Sequence, residues 1–202
     1  MPDQDNSAPT SDSLPDGYQE VLYWRVTEKY SRVVLLNIAG LLMLVLFGVL
    51  FSSLAVTLGK LPPGMIELGL PEIGLGILAI LLTLVLHELI HGLVMRIFGA
   101  KPRYGALWNQ AMFYATAPGY AFPRNYYIVV ALAPFILISM LVVLGMWLLQ
   151  DTSWVALLGV GGLFNASGAV GDLWITRIVL QYPDSAYIMD ERDGMRVFLP
   201  ES

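Results

Sequence analysis

The chain has no cysteine and only two histidines among its 202 residues. The absence of cysteine excludes disulfide bonds, thiolate nucleophiles and cysteine metal ligands. Both histidines, His87 and His91, lie in one short stretch. A metal site built on them must therefore take any third protein ligand from an oxygen donor, most simply a carboxylate. The sequence also lacks a basic patch, so we expect no nucleic-acid partner.

Charged residues are scarce as well, at 13%, whereas hydrophobic residues make up 56% of the chain. A soluble domain averages about 45–50% apolar residues. The excess is concentrated in four stretches, at about 33–58, 74–98, 127–149 and 154–180. Each is long enough to cross a bilayer, for which ~20 apolar residues suffice. The sequence therefore predicts an all-α membrane protein with about four transmembrane helices.

The segments outside these stretches are polar. Residues 1–19 are acidic and lack the apolar core of a cleavable signal peptide, which predicts a disordered tail. Residues 20–180 form the predicted membrane-embedded domain, and 181–202 a short cytoplasmic tail. Aromatic residues recur among the charges, prolines and glycines of residues 100–126. That segment has two interpretations, an interfacial aromatic belt or a short hairpin or re-entrant segment.

Basic residues predict the orientation in the membrane. They lie before the first stretch, between the second and third, and at or after the end of the fourth, whereas the other two loops hold only Lys60. Loops rich in Lys and Arg face the cytoplasm. We therefore expect an integral protein of the plasma membrane, with both termini and residues 100–126 on the cytoplasmic side.

The second stretch contains the sequence H-E-L-I-H, formed by His87, Glu88 and His91. Two histidines four residues apart share one face of a helix. In the H-E-x-x-H pattern that face binds zinc and the glutamate acts as general base. Ionisable residues within a membrane helix are expensive and mark functional sites. The motif therefore predicts a zinc site inside the membrane domain.

Asp172 is the candidate third ligand. It and Glu88 are the only acidic residues within the four apolar stretches. Asp172 lies ~12 Å of helix before the predicted cytoplasmic end of its stretch and the motif ~13 Å before the end of its own, which places them at similar depth. Gly161, Asn165 and Gly168 share a helical stripe with Asp172, and small residues allow helices to approach closely. Asn165 could hydrogen-bond between helices or hold the substrate backbone.

Three segments together resemble a known class of enzymes. They are L-H-E-L-I-H-G around the motif, A-F-P-R-N-Y-Y with the A-L-A-P that follows it, and N-A-S-G-A-V-G-D at residues 165–172. Over roughly residues 75–180 the chain is similar to the site-2 protease class of intramembrane metalloproteases. It resembles more closely a family of small four-span membrane proteins described as "putative zincin peptidase".

This resemblance implies roles for particular residues. His87, His91 and Asp172 would ligate one zinc ion, Glu88 would be catalytic and Asn165 would contact the substrate. The better-known site-2 proteases differ from this chain around the aspartate, because their later motif reads Asp-Gly with prolines before it. Here a glycine precedes Asp172 and a leucine follows it.

The expected function is that of a zinc-dependent intramembrane endopeptidase acting on membrane-protein or peptide substrates. Glu88 would serve as the general base for a metal-activated water. Two alternatives stay open. The chain could be a non-proteolytic membrane metal-binding or transport protein that uses the same ligands, or a catalytically silent scaffold that holds partner helices. The sequence leaves the oligomeric state undetermined.

Overall fold

A computed structural model describes residues 13–61, 69–107 and 112–201. Most of the predicted N-terminal tail, residues 1–12, lies outside these ranges. The elements in chain order are β1 (Tyr18–Arg25), α1 (Tyr30–Thr57), α2 (Leu70–Ile97), β2 (Arg103–Leu107), β3 (Met112–Thr116), β4 (Ala121–Pro123), α3 (Arg124–Leu148), α4 (Trp154–Gly168), α5 (Val170–Val179), β5 (Tyr187–Glu191) and β6 (Gly194–Pro200).

Four helical segments in the described part of the chain are long and apolar enough to cross a membrane. They are α1, α2, α3 and the consecutive pair α4–α5. The prediction of a mostly helical chain with four such segments is confirmed. The predicted fourth helix is divided at Ala169, which lies between the end of α4 and the start of α5.

Local sequence signals set the two ends of α2, the helix that carries the H-E-L-I-H motif. At its start, the Glu72 side chain accepts a hydrogen bond of 3.1 Å from the backbone N–H of Gly69, which satisfies one of the free donors of the first turn. At its end, Gly99 adopts a φ of +92°. That conformation is available to glycine at little steric cost and terminates helices. The motif is therefore fixed in the last three turns of a helix with defined ends.

Helix α4 packs against each of the other long helices. Glycines make these approaches possible. A Cβ added to Gly161 would lie 2.9 Å from the Thr83 hydroxyl of α2, and one added to Gly162 would lie 2.8 Å from the Phe51 ring of α1. Van der Waals packing of this kind replaces the hydrophobic driving force between helices in lipid. Helix α4 thus lies at the centre of the bundle, in contact with α1, α2 and α3.

The described residues also form antiparallel sheets, so the all-α class was incomplete. The larger sheet has the strand order β1-β6-β5-β4. Its β1 pairs with β6 from Tyr18↔Pro200 to Arg25↔Gly194, which joins the two ends of the described chain. Residues 187–200, predicted as part of a polar tail, supply both β5 and β6. Ile188, Met195 and Val197 of these strands are fully buried, and this packing is what orders the segment.

The segment between α2 and α3 contains a second, two-stranded sheet. Strands β2 and β3 pair antiparallel from Arg103↔Thr116 to Leu107↔Met112, which agrees with the hairpin interpretation of residues 100–126. The hairpin packs on α2, where a Cβ added to Gly92 would overlap the Tyr104 ring. The glycine that follows the H-E-L-I-H motif therefore lets the hairpin lie directly on the motif helix.

Replacing Gly162 with valine is expected to destabilise the bundle. The new side chain would meet Phe51, which is 2% exposed, and Val142, only 3.0 Å from the added Cβ. Overpacking of this kind costs about 1–3 kcal/mol. The measurement is thermal unfolding in detergent. Gly74→Val is the matched control, since a Cβ at Gly74 meets nothing within 4 Å. Equal melting temperatures for the two variants would contradict tight packing at Gly162.

Candidate metal centre

Three helices place the predicted site residues together. His87, Glu88 and His91 lie on the C-terminal half of α2, Asn165 on α4, and Asp172 in the first turn of α5. Both imidazoles are buried, at 7% and 8% exposure, and their ring centroids are 4.9 Å apart. All five residues that the sequence singled out therefore converge on one location.

The side chains of His87, His91 and Asp172 form a compact cluster. His87 Nε2 lies 3.0 Å from Asp172 Oδ2, and His91 Nε2 lies 3.4 Å from Asp172 Oδ1. One ligand atom from each residue falls within 4.8 Å of the others. Two imidazoles and one carboxylate are a ligand set of catalytic zinc sites, which keep a further coordination position open. The residues present therefore fit a single zinc ion.

Each histidine is oriented through its other ring nitrogen. His91 Nδ1 lies 2.9 Å from the backbone carbonyl of Val130. A carbonyl can only accept, so Nδ1 carries the proton and Nε2 keeps its lone pair. This carbonyl is available because Pro134, one turn later in α3, has no N–H to donate to it. The missing backbone donor at Pro134 in α3 thus fixes the tautomer of His91, a candidate metal ligand in α2.

Asn165 fixes the other histidine in the same way. Its amide nitrogen lies 3.3 Å from the Phe135 carbonyl and 3.4 Å from Ser139 Oγ, so the nitrogen faces α3. Its Oδ1 then accepts from His87 Nδ1 at 3.0 Å. Such partners hold metal-ligating imidazoles in position and raise their basicity. The structure therefore places Asn165 on the ring of a ligand, while its contact with substrate stays a prediction.

Glu88 lies beside the cluster and is not one of its three members. Its carboxylate lies beside the backbone of Ala115 in β3. It lines a cavity of about 280 Å³ together with His87, His91 and Asp172. A half-buried carboxylate next to a cavity can take a proton from one molecule and return it to another.

The C-terminal strands form another part of the lining of this 280 Å³ cavity. Its lining includes Trp24 of β1, Asp190 of β5 and the β5–β6 turn. In that turn, the Arg192 guanidinium lies 5.8 Å from the ring centroid of Tyr114 in β3. The two sheets therefore meet above the cluster and form its polar wall.

Two residues of this cavity were missed by sequence reasoning. The Tyr127 hydroxyl donates to Asp190 Oδ1 at 2.8 Å, and both residues line the cavity. Burial raises the pKa of Asp190 to about 7, although hydrogen bonds from Thr116 and Tyr127 act in the opposite direction. Only the pairing of β5 with β4 and β6 brings Asp190 to the site, and no short-range pattern in the sequence signals that pairing.

Comparison with known proteins gives a family and one distant relative. The family described as "Putative zincin peptidase" matches residues 80–187, more than half of the chain. A protein of Pyrococcus woesei named "Uncharacterized 24.7 kDa protein in gap 5'region" is 29% identical over 122 residues, which cover 59% of this chain and 53% of the relative. The chain thus spans about half the length of that relative. No solved structure matches.

Replacing Asn165 with alanine is expected to weaken zinc binding by about 10- to 100-fold, the usual effect of losing a partner that orients a ligand. His87 Nδ1 would lose its acceptor. The measurement is competition with a chelator of known affinity in detergent. Ser139→Ala is the control, because it removes one acceptor of the Asn165 amide and leaves the bond to His87. Wild-type affinity in Asn165→Ala would contradict the orienting role.

The stability of the protein should depend on the protonation of Asp190. The unfolded chain releases this proton near pH 4, whereas the folded protein holds it up to about pH 7. The free energy of unfolding should therefore fall as the pH rises between these values. Asp190→Asn removes the titration and keeps an acceptor for Tyr127.

We expect the melting temperature of wild type to fall more than that of Asp190→Asn between about pH 5 and about pH 8. Asp151→Asn, in an exposed turn, is the control and should follow wild type. Parallel curves for wild type and Asp190→Asn would show that Asp190 is not protonated on folding.

Proposed function

The chain belongs to the family described as "putative zincin peptidase", and from this premise we propose that it is a zinc-dependent endopeptidase that hydrolyses peptide bonds of membrane-protein substrates. The observation that carries the proposal is the convergence of two imidazole nitrogens and the Asp172 carboxylate within 4.8 Å, with Glu88 beside them on the same cavity.

In this proposal His87 Nε2, His91 Nε2 and Asp172 would hold the metal. Bound zinc would activate a water molecule and polarise the scissile carbonyl. The Glu88 carboxylate accepts a proton from the attacking water as its oxygen bonds to the carbonyl carbon. It then donates that proton to the leaving nitrogen as the C–N bond breaks. Asn165 and the Val130 carbonyl keep the two Nδ1 protons in place throughout.

The surface of the helices supports a site within or beside a bilayer. Large apolar side chains point outward along the long helices, including Leu42, Leu46 and Val49 of α1, each more than 60% exposed. A contiguous apolar exterior of this kind suits lipid. His91 lies six residues before the end of α2, about 9 Å of helix. We propose that this end faces the cytoplasm of the plasma membrane, and that the polar wall admits water there.

Replacing Glu88 with glutamine is expected to lower cleavage by about 100- to 10,000-fold, the usual contribution of a general base. Zinc content should be unchanged, since Glu88 is outside the ligand cluster. The measurements are metal content of the purified protein and cleavage of a co-reconstituted single-span reporter, with products identified by mass spectrometry.

Glu72→Gln is the matched control on the same helix, because glutamine can also accept the Gly69 N–H at the start of α2. It should retain wild-type cleavage. Undiminished cleavage by Glu88→Gln would overturn the proposed mechanism. Full zinc occupancy without cleavage of any reporter by wild type would instead favour a metal-binding or transport role.

A further inference from the structure

A second cavity, of about 210 Å³, lies next to the His87–Glu88 pair. The two cavities share His87, Glu88, Phe113 and Gly168 in their linings. They are therefore adjacent spaces that meet at the candidate catalytic residues. Nothing in the proposed mechanism uses the second cavity.

Gly168 lines both cavities. A Cβ added to this residue would meet no atom within 4 Å, so the glycine is not required for helix packing. It lies between Asn165 and Asp172 on the stripe that faces the two histidines. The missing side chain leaves room for a chain to pass in front of the cluster.

The second cavity has the size and chemistry of a side-chain pocket. Leu84, Phe113 and Phe164 supply its apolar lining, and its polar lining comes from Thr83, Asn165, His87 and Glu88. An apolar cavity of about 150 Å³ is enough to bind benzene, so the volume of about 210 Å³ can hold a leucine, methionine or phenylalanine side chain. A charged side chain would lose part of its hydration against the three apolar side chains, and an acidic one would also be repelled by the Glu88 carboxylate.

We propose that the second cavity is the specificity pocket of the enzyme, and that it takes a large apolar side chain next to the scissile bond. The substrate backbone would cross at Gly168, with one side chain in the second cavity and the continuing chain in the first. This inference rests on the proposed peptidase function. It defines the substrate class as peptide segments with a bulky apolar residue beside the cleaved bond.

Matched quenched peptides that differ at one residue beside a mapped cleavage site test the pocket. We expect kcat/KM for leucine or phenylalanine at that residue to exceed the value for alanine by about tenfold or more. Aspartate should be poorer still. Two variants alter the pocket. Gly168→Leu should fill it and shift the preference toward alanine, whereas Leu84→Ala should enlarge it and raise the relative cleavage of tryptophan peptides.

Gly74→Leu is the control, since Gly74 lines neither cavity and a Cβ there meets nothing within 4 Å. Zinc content is measured for every variant. A second readout is the affinity of the same peptides, by fluorescence anisotropy, for Glu88→Gln and for that variant combined with Gly168→Leu or Leu84→Ala. The affinities should follow the same order of side chains.

The outcomes separate the inference from the proposed function. Cleavage by wild type without preference for large apolar residues, or preferences that both pocket variants leave unchanged, would overturn the pocket and leave the peptidase. Absence of cleavage with zinc bound, together with peptide affinities that follow pocket size, would support the pocket and count against the peptidase. If Gly168→Leu fails to fold, Leu84→Ala still decides the matter.

Discussion

The contact between the Asp172 carboxylate and two imidazoles is the interaction on which the arrangement of the helices depends. An ionisable group inside an apolar bundle must find a partner, because desolvation is otherwise too costly. Asp172 finds both partners on α2, at 3.0 and 3.4 Å. For these atoms to meet, α4 must approach α2 closely, which Gly161 allows, and α5 must begin where the α4 helix is interrupted at Ala169. Packing and polar contacts thus impose the same geometry.

The orienting contacts extend this constraint to α3. The Val130 carbonyl holds His91, and the Phe135 carbonyl holds the Asn165 amide that in turn holds His87. Both Nε2 atoms of the cluster therefore face Asp172, and both Nδ1 atoms are hydrogen-bonded to a neighbouring helix. A network in which each member is satisfied is rigid. Rigidity of this kind would suit the proposed metal site, which would have to keep its ion in one place during turnover.

The long helices and the cluster of His87, His91 and Asp172 could be predicted for two reasons. The helices follow from local apolar stretches, and the chain offers very few other residues that could form such a cluster. Uninterrupted apolar stretches give helices of the right length, and Gly99 marks the end of α2. The motif places His87 and His91 on one face through helical periodicity alone. Asp172 could be identified by elimination, since so few acids lie in apolar surroundings. The helical stripe shared with Asp172 then placed Asn165 near the cluster, although it left the hydrogen-bond partner of Asn165 undecided.

The sheets could not be predicted in the same way because their stability comes from distant pairing. β1 and β6 lie at opposite ends of the chain, and neither shows a long alternating pattern. The residues of β5 look like a polar turn until Ile188 and Met189 are buried by their neighbours. Asp190 and Tyr127 were missed for that reason. The hairpin was one of two interpretations of residues 100–126. It can pack directly on α2 because Gly92 has no side chain to collide with Tyr104.

Pro134 has a consequence for how such a centre could arise or be rebuilt. Proline has no backbone N–H, so the Val130 carbonyl has no hydrogen-bond partner within the helix and can accept from His91 instead. Moving the two histidines and the aspartate into a regular four-helix scaffold would reproduce the candidate ligands. It would not supply a free backbone carbonyl opposite the Nδ1 atom of the second histidine. A design would therefore need a proline in one helix, four residues after the accepting carbonyl, as well as the H-E-x-x-H motif in the neighbouring helix.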